Sequence, residues 1–336
     1  MALPDPTLTA PENWQVSCVI TGHLVSALRG QVPFRAADHA ACLRDGRAAV
    51  RCQNAAKAVV SLETTIVRAL VVVTRRLRRA TKTGAWLTVQ PSTVNGTELG
   101  AQDWRDAAFL RYGLDPPDLP KHRDGCNAKF SICHALDCKR GGLFTARNNE
   151  LCDGVADLAS RSFTPSHVRN DPLIYQGCAV TRTKVQPAGP RDSTTSGTSP
   201  PEATEQKGDL LIRDLWANGT DSVYDMRVVN TDAKSYWGRT PAKCLEEAEK
   251  GKKKMYLEAC LQQRQHFSPF VASVDGLFRV EATYTLKRIA SSLASKWKQP
   301  YLKTCGYITS SITITLVRAM HRCIRGLRVP AHRISV

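Results

Sequence analysis

Two aspartates, each at one end of a predicted strand, precede a lysine-rich helix and a further strand in the second half of the chain. Apolar runs predict strands at residues 209–213, 222–230 and 268–274, and helical spacing of apolar residues predicts a helix near residues 242–263. This order of strands and helices predicts a mixed sheet flanked by helices, in the α+β or α/β class.

Helical spacing also extends over much of the remaining chain. It predicts helices over most of residues 13–80, near residues 150–159 and at about residues 280–298. Residues 306–325 fit two structures. The segment Ile312-Thr-Ile-Thr alternates like a strand, whereas the residues from Leu316 to Ile324 continue with helical spacing.

Changes in composition divide the chain into four predicted segments. Residues 1–118 are mainly helical, and residues 119–180 contain a small Cys/His unit followed by a helix. Residues 181–206 are rich in Pro, Thr, Ser and Gly and carry almost no large apolar side chain, so we expect a disordered linker there. Residues 207–336 then form the domain that contains the predicted sheet.

Asp209 and Asp225 are the candidate ligands of a divalent cation. A strand-turn-strand unit can bring both to one edge of a sheet, where each offers an oxygen to the same hard cation, such as Mg²⁺. Each aspartate taken alone is more often a turn residue. Their combination with a lysine-rich helix favours a hydrolytic site, in which an ammonium steers the attacking water or holds the phosphate.

Lys252 is the lysine that we expect to reach these carboxylates. It lies three residues before Met255 and four before Tyr256, so helical spacing places it on the same inward-facing side as those residues. Lys254 turns away from that side by about 100° per residue, and we keep it as a second catalytic candidate. The alternative is that the lysine run is only a solvated helix face.

The formal net charge of +17 favours partners that are polyanions, above all nucleic acids. A solvated basic surface is the alternative, but the basic residues recur in four separate clusters, at residues 75–82, 250–254, 287–303 and 318–333. From these clusters and the second strand of the predicted sheet, six residues are candidate nucleic-acid contacts: Arg227, Lys287, Lys296, Lys298, Arg318 and Arg322.

The cysteines and the apolar segments favour an intracellular protein without a membrane span. The 12 cysteines are neither dense nor evenly spaced, unlike those of a small secreted scaffold, so we expect thiols or metal ligands. The first residues lack the basic and apolar regions of a signal peptide. The most apolar stretch, residues 58–73, is interrupted by Glu63 and Arg68 and is too short to span a bilayer comfortably.

Five candidate zinc ligands lie within a short segment that has little apolar material of its own. Zinc prefers sulfur and nitrogen donors, and it can supply the folding energy that such a unit lacks. The alternative is a set of reduced cysteines in a small core. The five candidates are His122, Cys126, Cys133, His134 and Cys138.

The carboxylate and lysine pattern resembles the restriction-enzyme-like endonuclease domain that follows the reverse transcriptase in non-LTR retrotransposons. That domain has the PD-(D/E)xK nuclease fold. The resemblance lies in Asp209, in Asp225 and in a lysine four residues before a tyrosine, Lys252 and Tyr256. The chain departs from the pattern at Lys207-Gly208, where a proline commonly precedes the first aspartate, and at Arg227, where many nucleases place a lysine.

The Cys/His segment resembles the CCHC zinc knuckle that precedes this nuclease domain, with the spacing C-x2-C-x7-H-x3-C. Cys126, His134 and Cys138 match that spacing. The first cysteine of the pattern falls on Arg123, so either His122 or Cys133 substitutes for it or the site is degraded. Arg147-Asn-Asn stands where the family tends to show Arg-His-Asn.

These resemblances imply an endonuclease of the nucleus that nicks target DNA with Mg²⁺, carries Zn²⁺ in the knuckle and is able to contact element RNA. The sequence contains no Asp-Asp pair, so it lacks the metal motif of the polymerase itself, and residues 1–118 resemble a region that follows a polymerase. A catalytically inactive nucleic-acid-binding remnant is the main alternative. A structural helical protein with incidental charge is the third.

Overall fold

The computed structural model describes residues 6–123, 125–176 and 205–326. The chain divides into two compact units, Met1–Leu77 and Arg78–Val336. The predicted linker, residues 181–206, lies outside the described residues except for its last two positions. The basic residues beyond 326 lie outside them as well. The predicted segment boundaries after residues 118, 180 and 206 all fall inside the second unit.

The first unit is built from long helices. Helix α1 (Pro6–Leu28) packs against α2 (Ala36–Arg68), and α3 (Val71–Arg78) follows. Gly46 lies where α1 and α2 approach each other, because a Cβ atom at this position would collide with the side chain of Ile20. The helices predicted over most of residues 13–80 are confirmed.

The second unit combines helices with two small sheets. Its helices are α4 (Ala80–Thr83), α5 (Ala85–Thr88), α6 (Ala101–Arg111), α7 (Ile132–Asp137), α8 (Leu143–Ser162), α9 (Pro241–Gln262), α10 (Val280–Trp297) and α11 (Tyr301–Arg325). Its strands are β1 (Val168–Asn170), β2 (Leu173–Gln176), β3 (Glu205–Lys207), β4 (Leu210–Arg213), β5 (Asp221–Val229) and β6 (His266–Ser273). Short 3₁₀ turns occur at Pro165–His167 and Lys234–Tyr236.

Most of these elements agree with the sequence. The predicted strands correspond to β4, β5 and β6, and the predicted helices correspond to α8, α9 and α10, with differences only at their ends. The ambiguous segment at residues 306–325 is helical and belongs to α11. None of the helices in the described part of the chain has both the length and the apolar character that a membrane span needs.

The main sheet is mixed and has the strand order β1-β4-β5-β6. Strand β4 is antiparallel to β1 and β5, whereas β5 and β6 are parallel and are joined through α9. Strands β2 and β3 form a separate antiparallel pair. The fold class is therefore α+β: a helical N-terminal region, a Cys/His group and a mixed four-stranded sheet packed with helices.

The two faces of the main sheet pack against different helices. Tyr224, Met226 and Val228 of β5 belong to the large core that the sheet forms with α8, α10 and α11. Val223 and Val229, which alternate with them, pack towards α9. Asp225 has the same parity as Val223 and Val229, so the alternation directs its side chain to the α9 face.

Beyond the first residue of β4, side chains rather than a strand satisfy the backbone groups on that side of β5. The last β4 pair is Leu210 with Tyr224. Beyond it, the Met226 N–H donates to Asp209 Oδ2 at 2.5 Å, and the Val228 N–H donates to Asn148 Oδ1 at 3.1 Å. Arg147 Nη2 donates to the Val228 carbonyl at 3.0 Å. Because unsatisfied backbone groups are costly when buried, these contacts fix β5 against α8.

Candidate functional site

Asp209 directly precedes β4 and lies beside Asp225, which is in the middle of β5. The expectation that each aspartate lies at one end of a strand is therefore wrong for Asp225. The N–H of Asp209 donates to the Tyr224 carbonyl at 2.9 Å, which continues the β4–β5 pairing by one residue. Its carboxylate accepts the hydrogen bond from Met226, the residue after Asp225. The backbone therefore holds the two acidic side chains next to each other.

The electrostatics of Asp209 agree with this proximity. Burial, followed by the charge of the neighbouring Asp225 carboxylate, raises the pKa of Asp209 to about 6, although the Met226 N–H and the Lys252 ammonium act in the opposite direction. Asp225 itself is only 4% exposed. The Asp225 carboxylate thus disfavours ionisation of Asp209, and carboxylates are the ligand type that hard divalent cations prefer.

Lys252 reaches this pair from α9, on the face of the sheet to which Asp225 points. Its ammonium contacts Asp225 Oδ2 and lies 5.7 Å from the centre of the Tyr256 ring. Burial raises the pKa of the Tyr256 hydroxyl, and the charges of Asp225 and Asp209 raise it further. The Lys252 ammonium and the Tyr256 phenol therefore lie beside the two carboxylates in one half-buried site.

Helix α9 presents Lys252 through a well-defined start and a partly apolar face. Thr240 Oγ1 accepts the Lys243 N–H at 3.3 Å and caps the first turn. Tyr256 and Ala259 pack against the cluster around Phe267, as the spacing predicted. The expectation that Met255 shares the inward-facing side is wrong, since its side chain is 60% exposed.

The other two lysines of the run do not join the carboxylate pair. The ammonium of Lys253 contacts Glu281 at the start of α10, and Glu281 also accepts from Ser268 Oγ at 2.7 Å. Lys254 is exposed. It follows Lys252 by two residues, which is about 200° around a helix, and it therefore points away from Asp225.

Two residues beside the pair were not among the sequence-based candidates. The thiol of Cys152, on α8, donates to the Asp209 carbonyl at 3.4 Å, and burial raises its pKa to about 12. Asp171 binds the same carbonyl through its own N–H at 3.1 Å, in a turn with φ of 50°. Only the Asp171-Pro172 turn has a recognisable sequence signal. The proximity of Asp171 depends on how β1 pairs with β4, and that of Cys152 depends on how α8 packs against the sheet.

The Cys/His segment forms a hairpin followed by the short helix α7. Within the hairpin, the Arg123 N–H donates to the Ala128 carbonyl at 2.8 Å, and Ser131 caps α7. This brings Cys126, His134 and Cys138 together, with their ligand atoms all within 4.8 Å of one another. This group could hold a metal such as zinc, because it offers two sulfur donors and one nitrogen donor.

Arg123 occupies the position of the fourth ligand in the CCHC spacing. Its side chain is only 2% exposed, and Nη1 donates to the Cys323 carbonyl at 2.6 Å. Burial raises the pKa of the Cys138 thiol, but the Arg140 backbone, Cys126 and Arg123 lower it to a net value below the ordinary one. A cation therefore stands beside the three donors.

The two proposed substitutes for the missing cysteine lie outside the group of three. His122 is exposed and pairs with Lys129 across the hairpin. Cys133 is exposed on α7. Neither residue supplies a ligand atom to the group formed by the described residues.

The six candidate nucleic-acid contacts lie in different surroundings. Lys296 Nζ donates to the carbonyls of Arg161 and Phe163 at 2.7 and 3.0 Å, near the end of α8. Arg318 donates to the Glu98 carbonyl and Arg322 pairs with Glu150. The remaining three are the half-buried Arg227 and the exposed Lys287 and Lys298.

No protein-family model matches the chain, and no curated protein matches it either. The chemical interpretation therefore depends on the geometry of the chain itself. That geometry shows two separate groups. One is the pair of carboxylates with the Lys252 ammonium on one face of the sheet. The other is the set of three potential zinc ligands in the hairpin and α7.

Proposed function

We propose that this protein is a retrotransposon-derived endonuclease that nicks DNA by magnesium-dependent hydrolysis of a phosphodiester bond. The observation that carries the proposal is the meeting of Asp209, Asp225 and Lys252, which come from three separate segments of the chain. Asp225 Oδ2 is buried and in contact with the Lys252 ammonium. One ammonium beside two neighbouring carboxylates leaves one negative charge without compensation, and a bound divalent cation would balance it.

The roles of the residues follow from their charges and positions. Asp209 and Asp225 hold the cation, each through carboxylate oxygens. Magnesium, when bound, polarises the phosphate and activates water. Lys252 orients the attacking water or the scissile phosphate, and Tyr256, whose ring lies beside its ammonium, positions it.

The resemblance to the PD-(D/E)xK endonucleases supports the same proposal. It implies a mixed sheet flanked by helices, with two aspartates on neighbouring strands and a lysine on the next helix, and the observed arrangement agrees with this. The net charge of +17 suits a DNA partner. By analogy with the family, the nick primes reverse transcription in the nucleus, and element RNA is a second partner.

Conversion of supercoiled plasmid to open circles tests the proposal. We expect the protein to nick plasmid DNA with Mg²⁺ and to lose this activity in EDTA. The variant Asp225→Ala loses the activity too, whereas Lys254→Ala, in which an exposed lysine of the same helix is removed, keeps it. Nicking by Asp225→Ala at the parent rate would remove the assignment.

A nucleic-acid-binding protein without nuclease activity is the second candidate. Arg123 favours it, because a buried guanidinium stands where the knuckle pattern has a metal ligand. This candidate predicts salt-sensitive binding of DNA and no cleavage with either Mg²⁺ or Mn²⁺. Plasmid nicking by the parent protein excludes it.

A further inference from the structure

A cavity of about 350 Å³ lies between α10, α11, α4 and the turn that follows β6. Its walls include Phe278, Leu286, Cys305 and Thr309, and Lys82 and Lys287 complete them. The volume falls in the range of about 300–1,000 Å³ that is typical of pockets for small molecules. Lys287 is one of the candidate nucleic-acid contacts from the sequence, but the proposed hydrolysis does not involve this cavity.

The walls of the cavity are mainly apolar. Leu286 is only 5% exposed, and the Phe278 ring packs edge-on against the ring of Phe270, 6.2 Å away. Thr309 contributes a hydroxyl group, which can donate or accept a hydrogen bond. A flat, largely apolar group with a few polar atoms on its edge is the kind of ligand that suits these walls.

Two ammonium groups line the same cavity from different helices. Lys82 and Lys287 are both exposed, and within the described part of the chain neither ammonium has a carboxylate partner. Lys253, by contrast, has a carboxylate partner, because its ammonium pairs with Glu281. Two unpaired positive charges beside apolar walls select a ligand that carries negative charge at one end only.

We propose that this cavity binds one unpaired nucleotide of a DNA strand, with its base against Phe278 and Leu286 and its phosphate between Lys82 and Lys287. A base has an apolar face and a polar edge, and the phosphate supplies the charge. A base stacked inside a duplex cannot enter a cavity of this size. The strand must therefore be single or locally opened where it meets the cavity.

The cavity is separate from the carboxylate pair. Thr283, which also lines it, is two residues after Glu281, and two residues turn a helix by about 200°. Glu281 faces the lysine run of α9 through its contact with Lys253. The cavity therefore opens on another side of α10, and nucleotide binding there does not require cleavage or a divalent cation.

Protection of Cys305 from alkylation tests the location directly. The full chain is treated with N-ethylmaleimide in EDTA, with and without 2′-deoxyadenosine 5′-monophosphate, and each cysteine is followed by mass spectrometry. We expect the nucleotide to slow the modification of Cys305, which lines the cavity, but not that of the exposed Cys52 in the first unit. Deoxyadenosine alone and inorganic phosphate alone protect much less at equal concentration.

Charge reversal tests the two lysines. Lys82→Glu and Lys287→Glu should each weaken nucleotide binding by about tenfold in calorimetric titration, because each replaces an attraction with a repulsion at a partly exposed site. Lys254→Glu, a reversal at another exposed lysine, should leave the affinity unchanged, and thermal melts confirm that all three variants fold.

Three results would overturn the proposal: no protection of Cys305 by the nucleotide, equal protection by deoxyadenosine, or an equal loss of affinity in Lys254→Glu. Failure of the nuclease proposal looks different. In that case plasmid nicking is absent while nucleotide binding and its dependence on Lys82 and Lys287 remain.

Discussion

The ammonium of Lys252 lies against the carboxylate of Asp225, although the two residues belong to different elements of the fold. The Lys252 side chain is 18% exposed and that of Asp225 is 6% exposed, so water screens this ion pair only in part. In the absence of a cation, Lys252 balances one of the two neighbouring negative charges. With a divalent cation held by Asp209 and Asp225, the Lys252 ammonium would be available to water or phosphate.

Replacing Lys252 with methionine should therefore abolish nicking while DNA binding persists. We expect the single-turnover rate to fall by about 100-fold or more, since positioned proton-transfer or charge-stabilising groups contribute about that much. Filter binding in EDTA should change little. Lys254→Met is the matched control and should nick at the parent rate. Parent-like nicking by Lys252→Met would show that the contact with Asp225 is structural.

Asp209→Asn should make the protein more stable at neutral pH. Burial raises the pKa of Asp209 from 3.8 to about 6, so the folded state binds more protons than the unfolded state between these values, and stability falls as the pH rises through that window. At pH 7.5 the neutral asparagine should add about 1–3 kcal/mol to the free energy of unfolding.

Thermal melts at pH 7.5 and pH 4 measure this effect. The gain should disappear at pH 4, where the parent aspartate is largely protonated in the folded state. Magnesium should raise the melting temperature of the parent protein and not that of Asp209→Asn. A variant that is less stable than the parent at pH 7.5 would mean that the negative charge is well stabilised where it lies.

The same pKa sets the pH dependence of nicking. Cation binding needs Asp209 ionised, so at low Mg²⁺ the nicking rate should rise with pH, with its midpoint at about 6, and then level off. Saturating Mg²⁺ should move the midpoint to lower pH, because the cation competes with the proton. A rate that does not change between pH 5 and pH 7 at low Mg²⁺ would contradict this assignment.

Arg123→Cys should complete the zinc site. The substitution places a third sulfur, and so a fourth ligand, at the position that the knuckle spacing assigns, so zinc affinity should rise by about tenfold or more in competition with a chromogenic chelator. Without zinc, the loss of the Arg123 hydrogen bond to the Cys323 carbonyl should cost about 1–3 kcal/mol. Cys133→Ser should leave zinc affinity unchanged. A loss of zinc affinity in that variant would show that Cys133 is a ligand.

Asn148→Ala should destabilise the protein by about 1–2 kcal/mol, because the Val228 N–H on β5 loses its acceptor. Asn149, its exposed neighbour, is the matched control, and Asn149→Ala should have little effect. Urea unfolding compares the two variants. If Asn148→Ala proved as stable as Asn149→Ala, water would have replaced the Asn148 oxygen as the acceptor of the Val228 N–H.

The sequence predicted the elements that carry the carboxylates and Lys252, because β4, β5, β6 and α9 have clear apolar patterns. It did not predict β1, β2 or β3. Each of these strands has only three or four residues, and β1 and β3 consist mainly of polar residues, whereas the equally short β4 is an apolar run. Their place is decided by pairing with distant residues, as when Val168 pairs with Ile212.

The charged residues show a similar division. Spacing identified Lys252, but the same kind of argument placed Met255 inside, and it is exposed. Lys296 and Arg322 have partners in α8, more than a hundred residues away in sequence, and a charge pattern holds no information about such contacts. Composition therefore predicts a polyanionic partner, whereas tertiary packing decides which basic side chains are available to contact it.

The hydrogen bond from the Met226 N–H to Asp209 has a consequence for ion selectivity. One oxygen of Asp209 is already tied to the main chain next to Asp225, so the two acidic groups cannot spread apart without moving β5. Calcium needs more ligands at longer distances, about 2.3–2.6 Å against 2.0–2.1 Å for magnesium. We therefore expect the rigid carboxylate pair to bind magnesium in preference to calcium.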